Sequence, residues 1–139
     1  DGEEKKNILK RIKLNNLSKE VNLLNRTNNV YKYMKKSEAF ILPSLWEEVG
    51  FVIVEAAMSN TFIISSNCPN GPTEFLNNGD AGILFKNNKV GELSNSLKLF
   101  LDNKINFMEK RKYAKKNSVK YTKFRHFKKL IKIIDENQV

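Results

Sequence analysis

Apolar positions fall into short runs separated by polar punctuation, and their spacing sets the first expectations. Ile8, Leu9 and Ile12 recur at helical intervals among lysines, which predicts a helix over residues 3–14 ending at Asn15-Asn16. Val21 to Leu24 is a brief apolar run between polar flanks and reads as a buried strand. Residues 30–36 predict a short amphipathic helix with Tyr31, Tyr33 and Met34, and Ala39-Phe40-Ile41-Leu42 predicts a second strand stopped by Pro43. The stretch from Gly50 to Asn60 is ambiguous alone, because Val52, Ile53 and Val54 favour a strand by propensity. Its neighbours decide for helix. Thr61 to Ser65 is another apolar strand a few residues later, and consecutive parallel strands need a crossover of roughly a dozen residues.

Turn residues are dense from Asn67 to Pro72, a short helix follows over 73–76, and residues 77–80 turn again before a fourth strand over 81–85. Leu93, Leu97 and Phe100 share one face of a predicted surface helix over 91–101. Residues 106–134 predict one or two helices carrying Phe124, Phe127, Ile131 and Ile134 at an i, i+3, i+7, i+10 repeat. Strands alternating with helices, each strand nearly continuous in apolar character, indicate an α/β domain with a parallel sheet covered on both faces. Ligands of such sheets sit beyond the carboxyl ends of the strands. Residues 25–27, Glu47 and residues 67–72 all follow strand ends and are expected to share one crevice.

The stretch Ser44 to Ala57 concentrates chemistry in that pattern. Glu55 stands inside the apolar run Phe51 to Ala57, and an ionised carboxylate is almost never fully buried unless something pairs with it. Glu47 lies eight residues earlier. Both acids face one cleft if the chain turns at Val49-Gly50 and a helix starts there.

Composition narrows the class. At 139 residues the chain is one domain by length. A single cysteine, Cys68, excludes an internal disulfide and fits a reducing compartment. No apolar stretch approaches the roughly 20 residues that span a bilayer, so a soluble, cytoplasmic protein is expected. The net charge of +10 is a property of the tail: residues 104–132 hold twelve Lys or Arg against one acid, Glu109, while the remainder holds thirteen basic and fourteen acidic residues. Only 4 of the 25 basic residues are Arg, the usual residue for bidentate phosphate recognition, so nucleic acid is not the expected partner. His126 reads as structural or solvated, Cys68 as an inert thiol and Trp46 as a packing residue. Glu74 either caps its helix or meets ligand. No metal-binding spacing or Walker A loop occurs.

The ordered elements Ser44-Leu45-Trp46-Glu47-Glu48-Val49-Gly50-Phe51-Val52-Ile53-Val54-Glu55-Ala56, then Ile63-Ile64-Ser65-Ser66, Gly71-Pro72-Thr73-Glu74 and Gly82-Ile83-Leu84-Phe85 resemble the C-terminal donor-binding domain of retaining GT-B glycosyltransferases of group 1, or family 4. Glu47 and Glu55 supply the E-x7-E motif. The resemblance implies a Rossmann-like parallel sheet, incomplete at its N-terminus, in residues 1–103, with a basic helical tail, 104–139, packing on it. It implies that Glu55 accepts hydrogen bonds from the ribose of a nucleotide sugar and that Glu47, the catalytic-site acid, contacts donor-sugar hydroxyls. The amides of Val49, Gly50, Phe51 and Val52 would meet the diphosphate at a helix start. Arg26, with Tyr31 as a weaker candidate, falls where the family places its nucleobase loop. Val49 stands where many relatives have another small residue or Pro, and Asn25 where they usually have Gly.

The resemblance further implies hexosyl transfer from a nucleotide diphosphate sugar with retention, no cofactor and no bound metal. The acceptor, a glycan or lipid-linked sugar, would bind through an N-terminal domain missing from this chain. Asp1-Gly2-Glu3 looks like the loop after the second strand of the donor domain, so the chain is expected to be an excerpt, a truncated product or half of a split enzyme, inactive alone. Peripheral membrane contact belongs to this expectation. The alternative is a non-enzymatic binding module whose basic tail grips nucleic acid or an anionic membrane surface. The tail's expected arrangement is simpler, a solvated Lys-rich helix with its Phe and Ile stripe packed on the sheet domain.

Overall fold

A computed structural model describes residues 2–48, 50–89 and 91–137. It divides into two compact units, Asp1–Val30 and Tyr31–Val139. The first holds helix α1, Lys5–Leu14, as expected from the Ile8, Leu9, Ile12 spacing. Basic Arg11 and Lys13 lie in its last turn, where cations complement the negative end of the helix dipole. The Asn15 side chain closes that end by donating to the Arg11 carbonyl at 2.8 Å. The strand expected at residues 21–24 is absent. The segment has no regular structure, and Val21, Leu23 and Leu24 are exposed. An extended segment needs a neighbour for its N–H and C=O groups, and among the described residues no strand pairs with it.

The second unit contains α2 (Tyr31–Lys36), β1 (Ala39–Leu42), α3 (Phe51–Met58), β2 (Phe62–Ser66), α4 (Pro72–Phe75), β3 (Ile83–Phe85), α5 (Glu92–Asp102), α6 (Met108–Ser118) and α7 (Lys123–Glu136). The three strands form a parallel sheet in the order β1-β2-β3. Ala39 pairs with Phe62 and Leu42 with Ser65 across one ladder, and Ile64 pairs with Ile83 across the other. Among the described residues the sheet thus has three strands where the apolar runs predict four. The central strand β2 is buried at every residue, which is why its sequence runs Phe-Ile-Ile without polar alternation. Its Ser65 hydroxyl, fully buried, donates to the Ser66 carbonyl at 3.1 Å and reaches the Leu42 carbonyl at 3.4 Å.

Phe62 and Ile64 point to one face, where they form a core with Ile83, Phe85 and Phe100 of α5. Phe62 stacks on Phe100 at 4.9 Å and on Phe107 at 5.2 Å between ring centroids. Leu93 and Leu97 join that core, so the expected face of the surface helix is the one that docks. Ile63 and Ser65 turn to the other face, where α3 and α6 pack against the sheet. The Thr61 hydroxyl, buried at the entry to β2, donates to the Met34 carbonyl at 2.6 Å and fixes the end of α2. Gly82 permits β3 to enter beside β2, since a Cβ there would lie 2.6 Å from the Ile63 carbonyl oxygen.

The tail divides between two helices. Ala114 and Ser118 of α6 are buried, small enough for close approach to α3. The Asn117 amide donates to the Phe75 carbonyl at 2.7 Å, and Lys110 donates to the Gly79 carbonyl. The Val119–Tyr121 turn follows, and extended Thr122 caps α7 by accepting from the Arg125 N–H at 3.4 Å. The expectation that the Phe and Ile stripe packs on the sheet is corrected here. No residue of α7 is buried, with Phe124 64% and Ile131 40% exposed, because the small residues of α6 already take the docking position and the turn at 119–122 breaks the helix.

The entry to α3 is set by Gly50, whose φ of 63° lies in the left-handed region. A Cβ there would find ordinary contacts near 3.8 Å, so the cost of a side chain is backbone strain rather than collision. Gly50→Ala is expected to destabilise the chain by about 1–2 kcal/mol, and Gly50→Asn by less, in urea denaturation. By the same measurement Phe100→Ala should cost about 3–5 kcal/mol. Ile131→Ser, on the open face of α7, should stay within about 0.5 kcal/mol.

Candidate functional site

All three strands run the same way, so the loops after β1, β2 and β3 emerge at one end of the sheet. Pro43 stops β1 and Ser44 begins a loop leading to Gly50 and α3. Within it the Ser44 hydroxyl donates to Glu47 Oε1 at 2.6 Å. The loop is tied to its neighbours: the Ser66 hydroxyl donates to the Ser44 carbonyl at 2.5 Å, and the Asn87 amide donates to the Leu45 carbonyl at 2.7 Å. Asn67 completes the set by accepting from the Asn87 N–H at 2.9 Å while its own N–H donates to the Phe85 carbonyl. Glu47 and residues 67–72 therefore do share one end of the sheet. Among the residues that hold this end together, Ser66 and Asn87 have no local signature in sequence, since their partners lie 22 and 42 positions away.

Glu47 is half-buried and stands beside the start of α3, with its Cβ 3.9 Å from where a Gly50 Cβ would be. Phe51 is exposed and Val52 half-buried in the first turn, which itself holds no acid and whose start no side chain caps. Val49 lies outside the described residues. Glu55 follows Phe51 by one turn, on the same side of α3. It is half-buried, and among the described residues it has no hydrogen-bond or ion-pair partner. Its oxygens stay open to solvent, and so to a ligand that brings donors.

Arg26 is an exposed residue of the 1–30 unit, in a segment without regular structure, and Tyr31 is exposed at the start of α2. A cleft of about 510 Å³ opens beyond β2, lined by Asn67, Asn70, Gly71, Thr73 and Glu74 among others. Glu74 makes no cap to its helix, whose N-cap position is Gly71 without a side-chain bond. Its carboxylate adds to burial in raising the pKa of Tyr121, burial being the larger cause, and the Tyr121 ring meets Phe75 edge-on at 5.4 Å. Cys68 is a buried free thiol and His126 is exposed on α7. Trp46, expected to pack, is instead 62% exposed, because its loop is held by hydrogen bonds to its backbone. No cluster of three or more His, Cys, Asp or Glu side chains suited to a metal ion occurs among the described residues. Among them too, no helix is long and apolar enough to cross a membrane.

Comparison with known proteins places the chain in a family. The model for glycosyl transferases group 1 matches residues 1–121. The chain is 35% identical over 96 residues to an Escherichia coli UDP-Gal:alpha-D-GlcNAc-diphosphoundecaprenol alpha-1,3-galactosyltransferase, covering 68% of this chain and 24% of that protein. It is 38% identical over 76 residues to a glycosyltransferase of Methanocaldococcus jannaschii, covering 55% of this chain and 19% of that one. Among solved structures, TarM of S. aureus superposes over 94% of this chain and 26% of its own, with a TM-score of 0.82 at 23% identity. A Rickettsia africae glycosyltransferase does so over 96% and 37%, with a TM-score of 0.82 at 17% identity. The chain spans about a fifth to a quarter of the length of the curated relatives named here. Its parallel sheet flanked by helices is part of the GT-B glycosyltransferase fold, and the chain belongs to the group 1 glycosyltransferases.

Proposed function

We propose that this chain supplies part of the donor site of a retaining glycosyltransferase that moves a hexosyl group from a nucleotide diphosphate sugar to an acceptor hydroxyl. The observation that carries the reading is Glu55, a half-buried carboxylate on α3 without a partner among the described residues. A pair of vicinal ribose hydroxyls supplies the two donors such a carboxylate accepts. Glu47, gripped through one oxygen by Ser44, keeps its other oxygen for a hydroxyl of the donor sugar. The uncapped start of α3 between them suits the diphosphate, whose charge the first-turn amides stabilise. Phe51 and Val52 provide those amides, with Val49 and Gly50 preceding them. Arg26 is the candidate for the nucleobase. The solved structure of S. aureus TarM in complex with UDP supports a nucleotide as ligand of the fold.

In the reaction the acceptor oxygen bonds to the anomeric carbon on the face from which the diphosphate departs with the bonding electron pair, and the acceptor's hydroxyl proton passes to the departing diphosphate oxygen. The protein's part is positioning and stabilisation of the charge that develops on the diphosphate. No metal is required for this, since protein donors take that role. The acceptor, a glycan or lipid-linked sugar, would bind to sequence that the longer relatives have beyond the span matched here. The 139-residue chain alone is therefore expected to bind donor and transfer nothing. Sugar transfer by the purified chain without any added polypeptide would overturn that assignment. The non-enzymatic alternative gains nothing from the relatives, which are named as glycosyltransferases.

A carboxylate accepting two hydroxyl hydrogen bonds contributes about 1.5–3 kcal/mol. In a chain completed with its acceptor domain, Glu55→Ala should therefore weaken nucleotide-sugar binding by roughly 10- to 100-fold by calorimetry. An unchanged dissociation constant would remove Glu55 from the site.

A second reading concerns location and rests on α7. Its exposed Phe124, Phe127, Ile131 and Ile134 alternate with Lys123, Arg125, Lys128, Lys129 and Lys132. That arrangement suits peripheral contact with an anionic lipid surface, and the E. coli relative is named for a diphosphoundecaprenol-linked substrate. Co-sedimentation with vesicles containing phosphatidylglycerol should fall when residues 123–137 are removed. Equal sedimentation of both chains would discard this reading.

A further inference from the structure

The loop carrying Glu47 has little packing to hold it. Leu45 and Trp46 are each 62% exposed, so packing of these two side chains does not determine where the middle of the loop sits. Hydrogen bonds do. Two consecutive backbone carbonyls, those of Ser44 and Leu45, are each held by a side chain from the end of a different strand. Ser66, which closes β2, is fully buried and donates to the first at 2.5 Å. Asn87, just beyond β3, is half-buried and donates to the second at 2.7 Å.

The Asn87 amide is itself oriented. Its Oδ1 accepts from the Asn88 N–H at 2.9 Å, which leaves Nδ2 facing the Leu45 carbonyl, and its backbone N–H is anchored on Asn67 Oδ1 at 2.9 Å. A further bond, from Ser44 to Glu47 Oε1, passes this restraint to the carboxylate. Glu47 Oε2 has no partner among the described residues. The free oxygen is thus aimed by a chain of contacts that begins at β2 and β3.

We propose that Ser66 and Asn87 are positioning residues that hold the β1 loop in register for the donor sugar, so that the ends of β2 and β3 set the preference for a nucleotide sugar over the bare nucleotide. This rests on the reading above, in which Glu47 meets the sugar and Glu55 the ribose. Neither positioning residue touches the substrate. Displacement of a contact by about 1 Å costs on the order of 100-fold where geometry decides, and the sugar is the only part of the donor that Glu47 meets. Loss of the tether should therefore weaken sugar recognition while leaving nucleotide recognition in place.

Trp46 is the only tryptophan of the chain and sits within the tethered loop, so its fluorescence reports the restraint without any ligand. Asn87→Asp keeps the acceptor for Asn88 and the backbone N–H but presents an acceptor to the Leu45 carbonyl. Asn87→Ala removes the side-chain bonds without adding charge, and Ser66→Ala cuts the second tether. All three should increase the fast depolarisation of Trp46 in time-resolved anisotropy. The same chains are then titrated with UDP, GDP and ADP, each beside its glucose conjugate. The wild type should bind one conjugate more tightly than its bare nucleotide, and the Asn87 variants should lose about tenfold of that preference at unchanged nucleotide affinity.

Unchanged Trp46 anisotropy in the Asn87 variants overturns the tether. A freed loop with equal weakening of nucleotide and conjugate overturns the positioning role, because a merely structural defect spreads over the whole site. A wild-type chain that binds no nucleotide in either form refutes the donor-site reading instead, and the Trp46 measurement then decides the tether alone.

Discussion

The parallel ladder through β2 is the constraint on which the rest of the 31–139 unit depends. With β2 paired on both sides and buried at all five residues, every connection must return over a face of the sheet before the next strand begins. That requirement makes residues 51–58 a helix despite the strand propensity of Val52, Ile53 and Val54. It also sends the loops after β1, β2 and β3 out at one end. The proposed donor site follows from topology before any of its side chains is considered. The acids of the E-x7-E motif then divide between two kinds of support, with Glu47 on a loop held by polar tethers and Glu55 on a helix held by packing.

Much of this was legible because it is local. Pro43 marks the end of β1, Gly50 the left-handed turn into α3, and the spacing of Glu47 and Glu55 relative to that turn puts one acid beside the helix start and the other a turn within it. Leu93, Leu97 and Phe100 identified the docking face of α5 for the same reason. What could not be read was nonlocal. Four apolar residues at Val21 to Leu24 look like a strand, but a strand exists only with a partner for its backbone, and their sequence does not carry one. Ser66 and Asn87 look like ordinary strand-end polar residues, and nothing in their own neighbourhoods specifies the carbonyls of Ser44 and Leu45.

The tail shows the same division. Its apolar repeat is most regular in α7, and regularity pointed there for the docking surface. The structure docks α6, whose interior positions are Ala114 and Ser118, residues that leave no apolar signature but allow backbones to approach. A one-sided helix announces a face, not whether anything lies against that face. Nor does the positive charge of the tail act as a block: Lys110 donates to the Gly79 carbonyl and Lys104 pairs with Glu38, while the lysines of α7 stand beside its open stripe.

An apolar stripe that remains exposed is costly, since apolar surface gains about 25 cal/mol for every Å² removed from water. Glu55 on α3 makes a different kind of demand, since its half-buried side chain has no protein donor among the described residues and its oxygens meet solvent instead. The two features differ in what relieves them. Any apolar surface of suitable shape covers α7, so the stripe alone does not identify its occupant. In the proposed site Glu55 asks for two donors one turn into α3, and Glu47 asks for another beside the uncapped helix start, where three strand ends converge. That geometry is selective in a way that apolar exposure is not, and it is why the functional reading rests on the carboxylates rather than on the larger and more conspicuous surface of the tail.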